Sequence, residues 1–351
     1  LRQQWSNPSD IFSLLLLVGG DVILKAFVQF HGRYFRPVAF SFGWVAYAFS
    51  ALLAAVGHLK VMPDPDCPSL LIQCHPKTGR RYENQSWLLG RLPGWAATGE
   101  ETVELGPDGI PLRPRFQVQI WVYNLDSRKY NDSGQAELVM DKVFMSGIAT
   151  SILQLGIAAI PAGLYREWEI LVITACGTLL AFSTGILHEW SQGGTAKSRA
   201  RRPREATYAL LPGNAPRYIF IIRNEGTVFE LADFAEIDNT GGVSAVVVST
   251  LLLLLWTALL ITVSGLKSHT WYIVAVGAVG MLQNTIVAGS PRSPAALGLH
   301  LEQQHITIFR GKRAMDLLKD VEEYSPGVGM ALLPALFPGA LRPDDRQYWA
   351  D

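Results

Sequence analysis

Val243-Ser-Ala-Val-Val-Val-Ser-Thr-Leu-Leu-Leu-Leu-Leu-Trp-Thr-Ala-Leu-Leu-Ile-Thr-Val-Ser-Gly265 runs without a single charged residue. A bilayer core needs about 20 such residues in a helix, so this stretch reads as a membrane span. Working outward, five more stretches meet the same test: about Ile11 to Phe30, Val38 to Leu59, Val143 to Leu164, Ile170 to Trp190 and Trp271 to Gly289. The first follows Ser6-Asn7-Pro8, a cap and a first-turn proline. The second stops before Pro63, Pro65 and Pro68, and Pro161 bends the last turn of the third. Trp168, Trp190 and Trp271 fit interfacial positions at helix ends.

The chain has 351 residues, 49% hydrophobic and 17% charged, against about a quarter charged in a soluble domain. The clustering of the apolar residues turns that tilt into a membrane assignment. Thirty basic and thirty acidic residues cancel, which removes the electrostatic pull that nucleic-acid binding requires. No charged n-region with a short apolar core and a cleavage site is present, so the first apolar stretch reads as a retained helix.

Short links at 31–37, 165–169 and 266–270 join the spans in pairs. The sequence therefore predicts a membrane all-α bundle of about six transmembrane helices in three hairpins, with a small extramembrane α/β cap on one face. The hairpins fall at 1–60, 143–190 and 243–290, and the cap is built from 61–142, 191–242 and 291–351. Phe116 to Tyr123 alternates like a half-buried strand. Ser69 to Cys74 and Ser86 to Leu92 flank a turn signal, Lys77-Thr-Gly-Arg, which predicts a hairpin. Arg217 to Arg223 and Thr227 to Leu231 flank Asn224-Glu-Gly, which predicts a second. Ala314, Leu317, Leu318 and Val321 form one stripe of a short helix. No internal repeat is evident.

The basic run Lys197, Arg199, Arg201, Arg202 and Arg204, with Lys60, Lys142 and Arg292, places the cap and termini in the cytoplasm by the positive-inside rule. The acceptor tripeptides Asn84-Gln-Ser86 and Asn131-Asp-Ser133 point the other way. Endoplasmic reticulum or another endomembrane is the expected location. Cys67 and Cys74 read as free thiols, with a disulfide open as the alternative in an oxidising lumen.

Charges at membrane depth are costly and mark functional sites. Asp21 and Lys25 lie four apart in the first span, in acid-then-base order on one face, with Gly19 and Gly20 permitting a close neighbour. Asp21 is the candidate acid or base and Lys25 its charge partner; mutual neutralisation is the structural alternative. Gln154, Gln283 and Asn284 are the other mid-depth polar groups, and with Trp44 and Tyr47 they are the candidate substrate-binding residues. No cofactor motif is present: Gly327-Val-Gly329 lacks the rest of a phosphate loop. No metal site is expected, because His300, Glu302 and His305 do not share a helical face.

Leu153-Gln-Leu-Gly-Ile-Ala-Ala-Ile-Pro161, Met281-Leu-Gln-Asn284 with Val287-Ala-Gly-Ser-Pro-Arg292, Ala296-Leu-Gly-Leu-His300 and Phe337-Pro-Gly-Ala-Leu-Arg-Pro343 resemble a set of uncharacterised multi-pass membrane proteins of filamentous fungi. The resemblance spans most of the chain. It implies service in a natural-product pathway on a greasy terpenoid or polyketide intermediate. The expected function is therefore a cofactor-independent cyclase, pericyclase or isomerase acting on a lipophilic small molecule, which needs a shaped apolar pocket and a few placed polar groups. The alternative is a non-enzymatic scaffold or assembly factor that holds a protein partner on the cap. A small transporter stands third, because the helices lack charge chains and repeats.

Overall fold

The computed structural model describes residues 11–30, 35–57, 63–65, 67–75, 79–87, 89–92, 118–131, 136–137, 139–191, 205–213, 218–226, 229–235, 243–302, 306–311, 313–339 and 341–349. The chain divides into two compact units. One comprises Leu1–Pro63, Leu138–Ala196 and Asp238–Arg292, and the other Asp64–Glu137, Lys197–Ile237 and Ser293–Asp351. The described residues hold ten α-helices and a six-stranded mixed sheet, so the expectation of an all-α protein with a small cap is corrected to a mixed α/β architecture. The basic run 197–204 lies outside the described residues.

The helical unit contains α1 (Ile11–Val28), α2 (Gly43–Gly57), α3 (Lys142–Tyr165), α4 (Glu169–Ser191), α6 (Val243–Ser264) and α7 (Thr270–Gly289); α5 belongs to the other unit. Four of them, α3, α4, α6 and α7, are long and apolar enough to cross a membrane. Their outward surfaces carry exposed Ile152, Leu179, Leu254, Ile261 and Leu282, the surface that lipid rather than water accommodates. Among the described residues, four spans rather than six meet that test. The second expected span is shortened to the 15 residues of α2, about 22 Å at 1.5 Å per residue. Residues 35–41 ahead of it are neither helix nor strand; from Arg36 beside Gly185 to Phe40 beside Gly177 they cover about 12 Å of α4 in four residues, the rise of extended backbone. Pro37 explains this. It disfavours helical backbone at Arg36, and Val38 N–H bonds back to the Arg36 carbonyl at 2.8 Å in a three-residue turn.

The packing order of the helices is α1, α2, α6, α4, α3, α7 and back to α1. The extended segment occupies the middle. Arg36 and residues 38–42 are all buried to 4% exposure or less. Room for it comes from glycines on three of the surrounding helices. A methyl at Gly147 of α3 would overlap the Pro37 carbonyl, one at Gly280 of α7 the Phe40 carbonyl, and ones at Gly177 and Gly277 the rings of Phe40 and Phe42. Gly185 of α4 lies against the Arg36 side chain.

The short links 166–168 and 265–269 define one end of this unit; α3 and α6 start at the other, open end. Gly19 of α1 packs on Gly43 and Met281, and Gln29 reaches Val287 and Ser290. Helix α1 therefore runs parallel to α7 and finishes at the open end. The segment then descends from Arg36, beside Gly185, to Phe42, beside Gly277. Helix α2 climbs back, with Trp44 on Trp256 and Ala51 near Val248. Residues 35–57 thus enter and leave by the same end, as a re-entrant segment that goes in extended and comes out helical. Such backbone is tolerated at membrane depth only when buried in protein.

In the other unit the strands are β1 (Ser69–Cys74), β2 (Arg80–Glu83), β3 (Val118–Asn124), β4 (Glu205–Pro212), β5 (Tyr218–Glu225) and β6 (Thr307–Gly311), in the order β2-β1-β4-β5-β3-β6. All neighbours are antiparallel except β3 with β5. Strands from all three expected segments pair together. Two hairpin details are corrected. The partner of β1 is Arg80–Glu83, whereas the described part of 86–92 is helical from Trp87; Asn84 stops the strand by accepting from Ser86 N–H at 2.8 Å. The turn at Asn224-Glu-Gly ends β5 without forming a hairpin, because β4 and β3 are the strands that flank β5, and Leu231 opens the short helix α5 (Leu231–Ala235).

Strand β3 is buried on both faces rather than one. Trp121 and Tyr123 join Leu71, Tyr208, Leu210, Phe220 and Ile222 on one side. Ile120 and Val122 join Ile72, Ala209, Ile219 and Ile221 on the other, under α8 (Ala314–Tyr324) and α9 (Val328–Leu336). Leu317, Leu318 and Val321 make the expected apolar stripe of α8. A last helix, α10 (Pro343–Tyr348), ends beside Trp349, whose Nε1 donates to Met315 Sδ at 3.4 Å.

Two measurements check these assignments. Gly280→Ala should destabilise the detergent-solubilised protein by about 3 kcal/mol, the upper range for overpacking. Gly156→Ala, which faces open space, should instead stabilise it, by up to about 1 kcal/mol. Cys67 and Cys74 are both free thiols, and burial pushes the Cys74 thiol up to about 12, with Glu322 adding to the rise. At pH 8 a thiol-alkylating reagent should label Cys67 well ahead of Cys74 in the folded protein and both at similar rates in denaturant; equal rates in the folded state would contradict the burial.

Candidate functional site

Polar groups inside the helical unit concentrate on the re-entrant segment. Its peptide groups have no neighbouring strand, and leaving one buried without a partner costs roughly 1–3 kcal/mol. Asn284, on α7, supplies what a strand would. Its Oδ1 accepts from Ala39 N–H at 3.2 Å, and its Nδ2 donates to the Ala39 carbonyl at 3.0 Å and to Ser41 Oγ at 3.3 Å. Trp44 Nε1 donates to the same Ala39 carbonyl at 3.0 Å, which fills both lone pairs. Gln154, on α3, donates through Nε2 to the carbonyls of Phe40 at 2.7 Å and Val276 at 2.8 Å. Two acceptors on one nitrogen fix the orientation of that amide.

Aromatic rings close the same region. Trp44 stacks on Trp256 with centroids 5.5 Å apart and planes 3° from parallel, and Phe40 stacks on Trp256 at 6.2 Å. Tyr47 packs edge-on to Trp44 at 5.4 Å. The Arg36 guanidinium lies 4.3 Å from the Phe27 ring centroid, in cation–π geometry.

A second cluster ties the open end, and sequence reasoning did not find it. Asp141 caps α3 by accepting from Phe144 N–H at 3.0 Å. Its carboxylate takes a two-point bond from Arg292, Nε at 2.7 Å and Nη2 at 2.8 Å. Arg292 Nη1 also donates to the Gln29 carbonyl at the end of α1. One guanidinium thus joins the ends of α1, α3 and α7. The available signal was Asp141 directly before an apolar run, a helix-start pattern.

The structure brings Gln154, Asn284, Trp44 and Tyr47 together. Gln283 sits apart and donates to Ser146 Oγ at 3.3 Å, linking α7 to α3. Asp21 and Lys25 do not join them. They pair with each other at 3.0 Å on the outer face of α1, with side chains 69% and 41% exposed. Beside Tyr47 a crevice lined by Ala48, Ala51, Thr184, Val248, Ser249, Leu252 and Trp256 encloses about 20 Å³. That is room for a water, against roughly 300 Å³ or more for a ligand pocket. Trp256 Nε1 and Gln154 Oε1 are buried without a hydrogen-bond partner among the described residues.

No group of three or more His, Cys, Asp or Glu stands close enough to hold a metal among the described residues. His300 Nε2 lies 3.1 Å from the Glu137 carbonyl, and the His300 backbone N–H donates to Tyr130 Oη; His305 lies outside the described residues. Asn84 is buried and its amide bonds Ser69 Oγ and the Ser86 carbonyl, so it is not open to a glycan. Comparison with protein-family models, with curated proteins and with solved structures finds no match.

Replacing Gln154 or Asn284 by leucine should lower stability by about 1–3 kcal/mol each through the orphaned peptide groups. Gln283→Leu, which strands only a hydroxyl already bonded to the Val143 carbonyl, should cost clearly less. Denaturant titration of the three variants in one detergent checks the order.

Proposed function

We propose that this chain is an integral membrane protein that works as a scaffold or assembly factor. Its helical unit serves as the anchor and its sheet unit as the part that meets a protein partner in the cytoplasm. The observation that carries this reading is the use made of the interior amides and the Trp44 indole. Gln154, Asn284 and Trp44 are engaged on the backbone of residues 39–41, where a catalyst would hold them ready for substrate. The engaged Asn84 weakens one of the two glycosylation signals against a cytoplasmic sheet unit, and the endoplasmic reticulum or another endomembrane is its proposed location.

One observation favours a second reading, a cofactor-independent cyclase, pericyclase or isomerase on a terpenoid or polyketide intermediate. The crevice beside Tyr47 is bordered by Trp256, whose indole N–H awaits an acceptor. Widened by helix movement, it would admit a lipophilic molecule carrying one carbonyl or hydroxyl.

The deciding experiment compares lipid-soluble metabolites in cells of the source organism with and without the chain, alongside the size of the complex it forms in mild detergent. The scaffold reading expects unchanged metabolites and loss of a defined assembly. Accumulation of a single intermediate, cleared by wild type and not by Tyr47→Phe/Trp256→Phe at equal protein level, would replace it with the catalyst.

A further inference from the structure

Asp21 and Lys25 occupy an unusual place for charges on an apolar helix. Gly19, two residues earlier, is level with Met281 in the middle part of α7, and Gln29 is level with the end of α7. Asp21 therefore sits within the length of α7, about 3 Å past Gly19 and 12 Å short of Gln29 at 1.5 Å per residue. The inner side of α1 is taken: Gly19 and Gly20 abut Gly43, Ala46 and Tyr47, and Ile23, Ala26 and Phe27 are buried. The ion pair faces outward, with Asp21 and Lys25 one turn apart on one face. Ionisable groups at membrane depth nearly always face protein or a water-filled cavity, and here the unit's own helices leave them uncovered.

The face is complementary to itself. Helical side chains lean toward the N-terminus, and the 3.0 Å pair shows the Lys25 ammonium already lowered to the depth of Asp21. Acid and base thus lie side by side at one depth. A two-fold axis along the membrane normal would set each carboxylate against the other copy's ammonium without moving either helix along its axis. We propose that the outward face of α1 is the contact surface between two copies of this chain, joined at membrane depth by Asp21 of each copy and Lys25 of the other.

The test treats the full chain in isolated membranes with a zero-length carbodiimide, which joins a carboxylate to an ammonium in contact with it. A cross-linked band at twice the chain mass is expected, reduced at least fivefold by Asp21→Lys alone and by Lys25→Asp alone. Co-expression of those two charge-reversed chains under different tags should restore a mixed dimer, because one copy then carries both bases and the other both acids. Size-exclusion profiles of each variant confirm that it is folded. Absence of the dimer band in folded wild type overturns the proposal. So does a cross-link to a protein of another mass, or dimers of either reversed chain that form as well as wild type.

Discussion

A peptide group buried in a helix bundle must find a partner, and within helices that partner is supplied locally, four residues away. Residues 36–41 break that arrangement: their backbone is not helical, is surrounded by helices, and has no adjacent strand. The organisation of the helical unit follows from this single constraint. Asn284 acts as a one-residue strand toward Ala39, Gln154 reaches Phe40, and Trp44, at the start of the returning helix, closes the remaining acceptor. The turn at Pro37 commits the chain to the extended path, because Arg36 is turned away from helical backbone and the proline has no N–H to offer.

The same constraint dictates the glycines. A strand and its side chains are admitted among packed helices only if those helices give up side chains where it passes. Gly147, Gly177, Gly277 and Gly280 do so; the Pro37 and Phe40 carbonyls take the space at Gly147 and Gly280, and the rings of Phe40 and Phe42 take it at Gly177 and Gly277. Glycine costs a helix interior about 1 kcal/mol relative to alanine, so four of them weaken α3, α4 and α7 individually and make their packing on the segment the source of order. At the open end the chain leaves α1, turns and descends. There Arg292 gathers the end of α1 and the start of α3 onto the end of α7.

How much of this the sequence displayed depends on the kind of signal. The four long apolar helices are plain in composition, since each is one continuous run and nothing competes with lipid for it. Val38 to Leu59 is as apolar as they are, and hydropathy alone cannot distinguish a span from a buried strand leading into a short helix. The distinguishing mark was Pro37, which sequence reasoning placed in a link. β1 was legible from the turn residues after it and β3 from its alternation, whereas β4 and the strand order were not, because pairing between segments far apart in the chain leaves no local signal. Gln154, Asn284 and Trp44 were found by depth and polarity. Their roles were not, because a peptide group and a substrate carbonyl ask for the same amide.

That ambiguity can be resolved by counting acceptors. A helix-rich membrane protein with polar residues at mid-depth either places them around a ligand or uses them on irregular backbone. Each residue forced out of helical geometry and away from a sheet brings one N–H, unless it is proline, and one C=O. Here one Asn, one Gln and one Trp, on α7, α3 and α2, engage the Ala39 N–H and the Ala39 and Phe40 carbonyls. Side chains engaged on backbone in this way act as structure, even though Gln154 Oε1 has no hydrogen-bond partner among the described residues. What then stands out is the pair that the backbone never uses, Asp21 and Lys25, on the opposite side of α1. An exposed charge pair on an apolar helix, unused by the packing inside its own unit, directs attention to the surface of the unit rather than its interior.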